Sequence, residues 1–380
     1  MTAGQLRAQV AGGGIGGLAV ATMLTMRGWD VTVHEQNEHV REVGAGIFLR
    51  PNSISVLRVL GIADEIARVG IRLERAKYLD GRTGDVYQDR LGGGGAGMWI
   101  CPRQALIQAL EHKARSAGVK IKVGSTVMGA TPDGVLRTDR GDFDGDLIIG
   151  ADGVSSAVRE SLGLTKMTKR LATVATRYLV PSRELAPDPD TIMYWSGARR
   201  VGIAPCDRDT TYIYMICPQD DERGVRLPID IQSWSESFPV LRDKLRMLEG
   251  LTAIQNNYRI VSCSRWQSGR VAIVGDAAHG LPPLLGQGAG LALCNANALA
   301  TSVGSDTAQI PAQLQRWESD FRSFADVTQH WSMHLDRTTN DWPRAALSLR
   351  KPYLWALGRM NQIQRRIWVA DRFPVRELAS

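Results

Sequence analysis

After a polar lead the chain runs through a short strand-like segment, Arg7-Ala8-Gln9-Val10-Ala11, and breaks into glycines at 12–14 and 16–17. Leu18 to Arg27 then reads as a helix, and Val31-Thr32-Val33-His34-Glu35 as a second strand, so residues 7–35 predict one βαβ unit. Two wholly apolar runs further on, Leu147-Ile148-Ile149 and Val271-Ala272-Ile273-Val274, carry the signature of buried strands in an α/β sheet. Between residues 170 and 265 the pattern shortens into alternating runs such as Tyr212-Ile213-Tyr214-Met215-Ile216, which predicts an antiparallel sheet. Beyond about residue 308, Trp317, Phe321, Phe324 and Trp331 return on helical spacings, and Pro343, Pro352 and Pro374 are expected to break that pattern.

The 380 residues are 44% hydrophobic and 22% charged, the balance of a globular protein. No run of about 18 uncharged apolar residues interrupts them, and the first strand follows almost at once, so a cytoplasmic protein without stable membrane association is expected. Five cysteines stand far apart with no C-x-x-C pair, which predicts neither a disulfide framework nor a zinc site. His330 and His334 share a helical spacing but lack the glutamate of a zincin motif, so no metal is expected. The net charge of +7 comes without a nucleic-acid motif, and nucleic acid is therefore not expected as a partner. Such a basic balance suits small anionic ligands.

The glycine loop gives that ligand a chemistry. Gly12, Gly14 and Gly17 make a G-x-G-x-x-G match after a strand and before a helix, where the backbone approaches a pyrophosphate and the helix N-terminus meets its charge. Glu35 ends the second strand at the distance where an acidic side chain accepts the adenosine ribose hydroxyls. The loop by itself does not distinguish NAD from FAD.

Four later segments do so through a likeness. Arg41-Glu42-Val43-Gly44-Ala45-Gly46-Ile47 leads to Pro51-Asn52; Arg103 opens an R-x-x-L-x-x-x-L helix; Asp152-Gly153 closes a buried strand; and Gly275-Asp276 leads through Pro282-Pro283 to Gly286-Gln287-Gly288-Ala289-Gly290. In that order these motifs resemble the FAD-dependent aromatic hydroxylases, the single-component flavoprotein monooxygenases. The resemblance implies an α/β fold: a Rossmann-like FAD-binding domain in two pieces, residues 1–169 and 266–308, with an inserted antiparallel substrate sheet at 170–265 and C-terminal helices at 309–380. It places Arg41, Gly46, Arg103, Asp152, Asp276, Gly286, Gly288 and Ala289 along the FAD, with Asp276 on the ribityl chain and the helix after Gly288 near the flavin carbonyl.

The implied activity is hydroxylation of an electron-rich ring, with FAD reduced by NADH or NADPH and one atom taken from O2. The protein would bind, orient and exclude water, and no catalytic residue is expected. Within the family the resemblance is to pyridine-ring monooxygenases, through marks such as Gly28-Trp29-Asp30-Val31 and Leu293-Cys294-Asn295-Ala296. It carries their substrate-binding arginine and tyrosine onto Arg200 and Tyr212, and so implies a small aromatic acid, foremost a hydroxypyridine carboxylate, with ring opening as an accompanying outcome. Arg75 stands where a substrate-facing tyrosine is expected, and Phe48 and Arg50 depart from the subgroup beside the flavin. A hydroxylase of carbocyclic acids of the salicylate type, or a flavin-binding redox-responsive protein without oxygenase activity, stays open, as does a monomer or homodimer.

Overall fold

The computed structural model describes residues 5–40, 44–91, 97–340, 342–343 and 346–378. Its first sheet has six strands in the order Gln267–Ser268, Val271–Ile273, Leu147–Gly150, Arg7–Ala11, Asp30–His34 and Lys120–Lys122. All but the outermost pair run parallel, and the four central ones are almost wholly buried. Parallel strands of this kind are covered on both faces, which explains their unbroken apolar sequence. Helices Ile15–Met26, Arg103–Ala117 and Gly288–Ser302 supply cover. Arg103–Ala117 stops at Gly118, whose φ of 101° is open to glycine at no steric cost.

The second large sheet has seven strands, in the order Ile254–Cys263, Thr165–Val180, Thr211–Pro218, Arg199–Pro205, Asp190–Ser196, Arg75–Asp80 and Val86–Leu91. It is antiparallel except where Asp190–Ser196 runs parallel to Arg75–Asp80. Two of its strands thus come from residues 75–91, ahead of the 170–265 segment. One face packs a core of its own, in which Trp234 and Phe238 stack at 5.8 Å. The mixed α/β architecture with C-terminal helices is the one expected.

Helix Ile310–Asn340 lays Trp317 and Phe321, both fully buried, onto the first core. Burial of side chains this large stabilises the docking by roughly 2–3 kcal/mol each. Pro343 lies between helices and Pro374 follows the last helical turn, as expected. Pro352, however, sits inside helix Leu347–Arg359. The carbonyl four residues before it belongs to the first turn, so the missing N–H forfeits one bond near the end of the helix.

Candidate active site

The carboxyl ends of the central parallel strands open into a cavity of about 950 Å³ that reaches across to the seven-stranded sheet. Ligands of open α/β sheets bind at this end. Its lower wall is made of Gly14 and Gly16, Gly46 to Phe48, Arg103, Ala151 and Gly153, Asp276, and Gly286, Gly288 and Ala289. Its upper wall carries Arg200 and Tyr212. Ten of the side chains and glycines singled out in the sequence therefore meet around one space: Gly14, Gly46, Phe48, Arg103, Arg200, Tyr212, Asp276, Gly286, Gly288 and Ala289.

The others lie behind it or elsewhere. Gly12 has φ of 97°, and a Cβ there would stand 2.5 Å from the Ala151 carbonyl oxygen. Gly17 is closed in the same way by the Gly12 backbone. Both let the first strand, the loop and the Asp152 segment touch. The Glu35 carboxylate, 8% exposed, accepts from the Gly13 N–H at 2.8 Å and the Asn37 N–H at 2.9 Å, tying the loop to the second strand. Asp152 accepts from Ser156 Oγ at 2.5 Å and the Val158 N–H at 3.2 Å, and burial raises its pKa. Its neighbours Ala151 and Gly153 line the cavity. Arg75 was expected to face substrate. Its guanidinium instead pairs with Asp89 at 2.7 Å across the neighbouring strand, with the side chain 41% exposed, and it is not part of the cavity wall. Arg41 lies outside the described residues.

The lower wall fits a dinucleotide. Helices Ile15–Met26 and Gly288–Ser302 both begin at the cavity, and neither Gly14 nor Gln287 caps its helix with a side-chain hydrogen bond. First-turn N–H groups are therefore left for an anionic or carbonyl oxygen. A Cβ at Gly288 would meet nothing within 4 Å, and Asp276 is exposed toward the space after Gly275, whose φ is 61°.

The sequence marks Arg50 as a departure beside the flavin but gives no sign of what holds it. Arg50, 4% exposed, is gripped by Asp371: Nε donates to Oδ1 at 2.9 Å and Nη2 to Oδ2 at 2.5 Å. Trp368 lies flat on the guanidinium at 3.8 Å. Asp371 also accepts from Gln287 Nε2 at 2.6 Å, and Gln287 Oε1 accepts from Asn52 at 3.0 Å. The C-terminal segment thus braces the glycine turn at 286–290. Arg159, 1% exposed, braces the other side by donating to the carbonyls of Ala277 and Val154 at 3.0 Å each.

Over the cavity stands an aromatic wall. Tyr212 and Tyr214 have ring centroids 5.1 Å apart, and Phe48 lies 6.3 and 6.2 Å from them. A Cβ at Gly46 would stand 2.7 Å from the Tyr212 ring, so only glycine lets the strand pass under it. Burial drives both tyrosine pKa values up, leaving neutral hydroxyls. Arg200, 2% exposed, donates to Thr339 Oγ1 at 3.0 Å. Burial lowers its pKa to about 10, against the charge of Asp336, which raises it. The guanidinium still stays charged at neutral pH. All five cysteines are buried thiols; Cys263 is pushed up to about 11 and Cys101 to about 12. Among the described residues no helix is long and apolar enough to cross a membrane.

Comparison with known proteins agrees with this geometry. Residues 5–307 match the family model described as FAD binding domain. The chain is 36% identical over 350 residues to a putative 2-heptyl-3-hydroxy-4(1H)-quinolone synthase of Rhodococcus erythropolis, covering 90% of this chain and 91% of that protein. It is 30% identical over 335 residues to a 3-amino-4-hydroxybenzoate 2-monooxygenase of Streptomyces cremeus, covering 83% and 82%. Among solved structures it matches the tetrameric form of 2-methyl-3-hydroxypyridine-5-carboxylic acid oxygenase with a TM-score of 0.85 and 31% identity, over 97% of this chain and 96% of that one.

Proposed function

Because the chain belongs to the FAD binding domain family of FAD-dependent aromatic monooxygenases, we propose that it hydroxylates an N-heteroaromatic ring bearing an oxygen substituent, of the 4-quinolone kind. It is an FAD-dependent monooxygenase, and NAD(P)H is the cosubstrate typical of its family. FAD, when bound, supplies the redox chemistry and the electrophilic oxygen.

The chain's own residues do the rest. The N–H groups after Gly14 would hold the pyrophosphate of a bound FAD, with Gly12 and Gly17 letting the backbone close on it, and Glu35 would take the adenosine ribose. Asp276 would accept from the ribityl hydroxyls of a bound FAD, Arg103 and Asp152 would fix the flanking loops, and the N-terminus of helix Gly288–Ser302 would stabilise negative charge on the flavin. Phe48, Tyr212 and Tyr214 hold a flat ring, and their bulk excludes water from it. Arg200 and the neutral Tyr212 hydroxyl donate to the ring oxygen, which fixes the orientation of the ring in the cavity.

The observation that carries the proposal is the single space shared by the glycine loops below and Arg200 with the aromatic wall above. A second reading, an aromatic carboxylate such as a hydroxypyridine carboxylate, rests on the buried charge of Arg200. Asp336 offsets that charge in part while Arg350 adds a second positive charge nearby, so the preference for a quinolone rests on the relatives rather than on charge. The test is NAD(P)H-dependent oxygen uptake with 4-quinolones and with hydroxypyridine carboxylates, and mass spectrometry of the products. The proposal expects a quinolone gaining one oxygen atom. Turnover of the carboxylate alone would install the second reading, and turnover of neither would place the substrate outside both ring classes.

A further inference from the structure

Beyond Arg200 the space does not end. A second chamber of about 700 Å³ lies between the outer strands of the seven-stranded sheet and the three C-terminal helices. Tyr78, Met193, Arg200, Leu285 and Trp368 line both it and the flavin-side cavity, so the two adjoin at Arg200. A cavity of this size by itself falls in the range of about 300–1,000 Å³ that encloses a complete small ligand. A single-ring acid held at Tyr212 would leave it unused.

The walls say what belongs there. Leu335 comes from helix Ile310–Asn340, Leu354 and Leu357 from Leu347–Arg359, Ile367 from Asn361–Ile367, and Leu284 from the turn before the flavin helix. Several of the polar groups among them are already engaged, although Trp195 Nε1 has no hydrogen-bond partner among the described residues. Arg350 donates to the carbonyls of Gly197 at 2.8 Å and Thr339 at 3.2 Å and lies over Trp195 at 5.1 Å; Tyr87 donates to Asp80; Arg90 donates to Gln364 at 3.4 Å. A polar or charged ligand entering here would lose water without gaining those groups, while an aliphatic one loses nothing. Trp355, 49% exposed, closes the outer rim of this chamber, and Leu91, 60% exposed, stands at the rim of the first.

We propose that this chamber is a subsite for an unbranched aliphatic chain attached to the ring, so that the substrate class is a ring with an alkyl tail rather than a compact aromatic acid. This rests on the ring reading above. The ring sits under the aromatic wall with its oxygen on Arg200, and the chain passes Met193 and Leu285 into the leucines of the C-terminal helices. These helices therefore select chain length while the sheet selects the ring.

The experiment uses the FAD-loaded full chain and a series of 2-alkyl-4-quinolones from methyl to nonyl. Affinity is read from flavin absorbance and kcat/KM from oxygen uptake. Each methylene added inside the chamber should raise kcat/KM roughly fourfold until the chamber is filled. Leu335→Trp and Leu354→Trp reach the chamber from two different helices, and each should cut the heptyl-to-methyl ratio at least tenfold, with FAD content reporting folding. A ratio near one in the wild type overturns the subsite, as does a ratio that survives in both variants. Chain-length-dependent affinity without turnover of any member would keep the subsite and sink the ring chemistry, so the two failures are distinct.

Discussion

Asp371→Ala removes the carboxylate that neutralises Arg50, in a pair whose side chains are 5% and 12% exposed. Three consequences follow from the geometry. Arg50 keeps its charge in a site it shares with the Trp368 ring and the flavin-side cavity, Gln287 Nε2 loses its acceptor, and the glycine turn loses its brace. Removing one member of a buried pair costs about 3–5 kcal/mol, chiefly as the price of the stranded charge. The orphaned amide costs about 1–3 kcal/mol when taken alone, and the two overlap because Gln287 can turn to water once Asp371 is gone. A loss of about 3–5 kcal/mol in unfolding free energy is expected for the apoprotein by urea titration followed through tryptophan fluorescence. Asp371→Asn keeps the acceptor for Gln287 and should fall between. The double variant Arg50→Met, Asp371→Leu strands no charge and should recover most of the loss, since replacing a buried pair by apolar groups is often neutral. An Asp371→Ala loss under about 1 kcal/mol, or a double variant as weak as the single, would refute the reasoning.

Asp276→Ala should weaken FAD binding by about 1–3 kcal/mol, measured by fluorescence titration of apoprotein, if the carboxylate holds the ribityl chain; unchanged affinity would reassign it. Gly46→Val drives a branched side chain into the Tyr212 ring, which a Cβ alone would approach to 2.7 Å. Substrate affinity should drop at least about tenfold, the scale of 1.4 kcal/mol, and calorimetry of ligand binding checks it. Burial holds both His34 and His279 down to about 4, His34 with help from Lys122, and both are neutral in the fold. An unfolded histidine takes its proton near 6.5, so stability is whole above that pH and falls as pH drops from about 6.5 to about 4, by up to roughly 3 kcal/mol per histidine. Urea midpoints at pH 7.5, 6 and 4.5 should show this slope, and His34→Gln should flatten it. Acid precipitation should release all flavin as FAD into the supernatant, because the cysteines are buried thiols; flavin retained in the pellet would contradict this.

Much of the lower wall was legible because its signals are local. Gly12, Gly14, Gly17 and Glu35 fall within one βαβ unit, and the Gly275-Asp276 and Gly286–Gly290 pieces each combine a strand end, a turn and a helix start. The upper wall was legible only in part. Tyr212 lies in an alternating run and Arg200 is reached only through the resemblance, its strand being buried almost throughout, while the pairing of Asp190 with Arg75 is parallel and long-range, so nothing near Arg75 tells which way its side chain points. In the fold Asp89 on the next strand claims it. The C-terminal helices were visible as amphipathic stretches whose apolar faces equally suit core packing or a dimer. That they close a second chamber depends on contacts between Leu335, Leu357 and Ile367 that no short window of sequence contains.

The grip of Asp371 on Arg50 also sets an order of events during synthesis. The two residues are 321 positions apart, and at about 5–20 residues per second the guanidinium is made roughly 15–65 s before its partner. From the moment the turn at 286–290 is made until Asp371 follows it, that turn has no brace, so the nascent chain holds an unfinished flavin cradle. Tight flavin capture is then expected only after the segment around Asp371 has been made and has folded onto the turn. It also means that the segment around Asp371 is a poor place for an insertion or a cut, since it completes a site whose recognisable motifs all lie upstream of it.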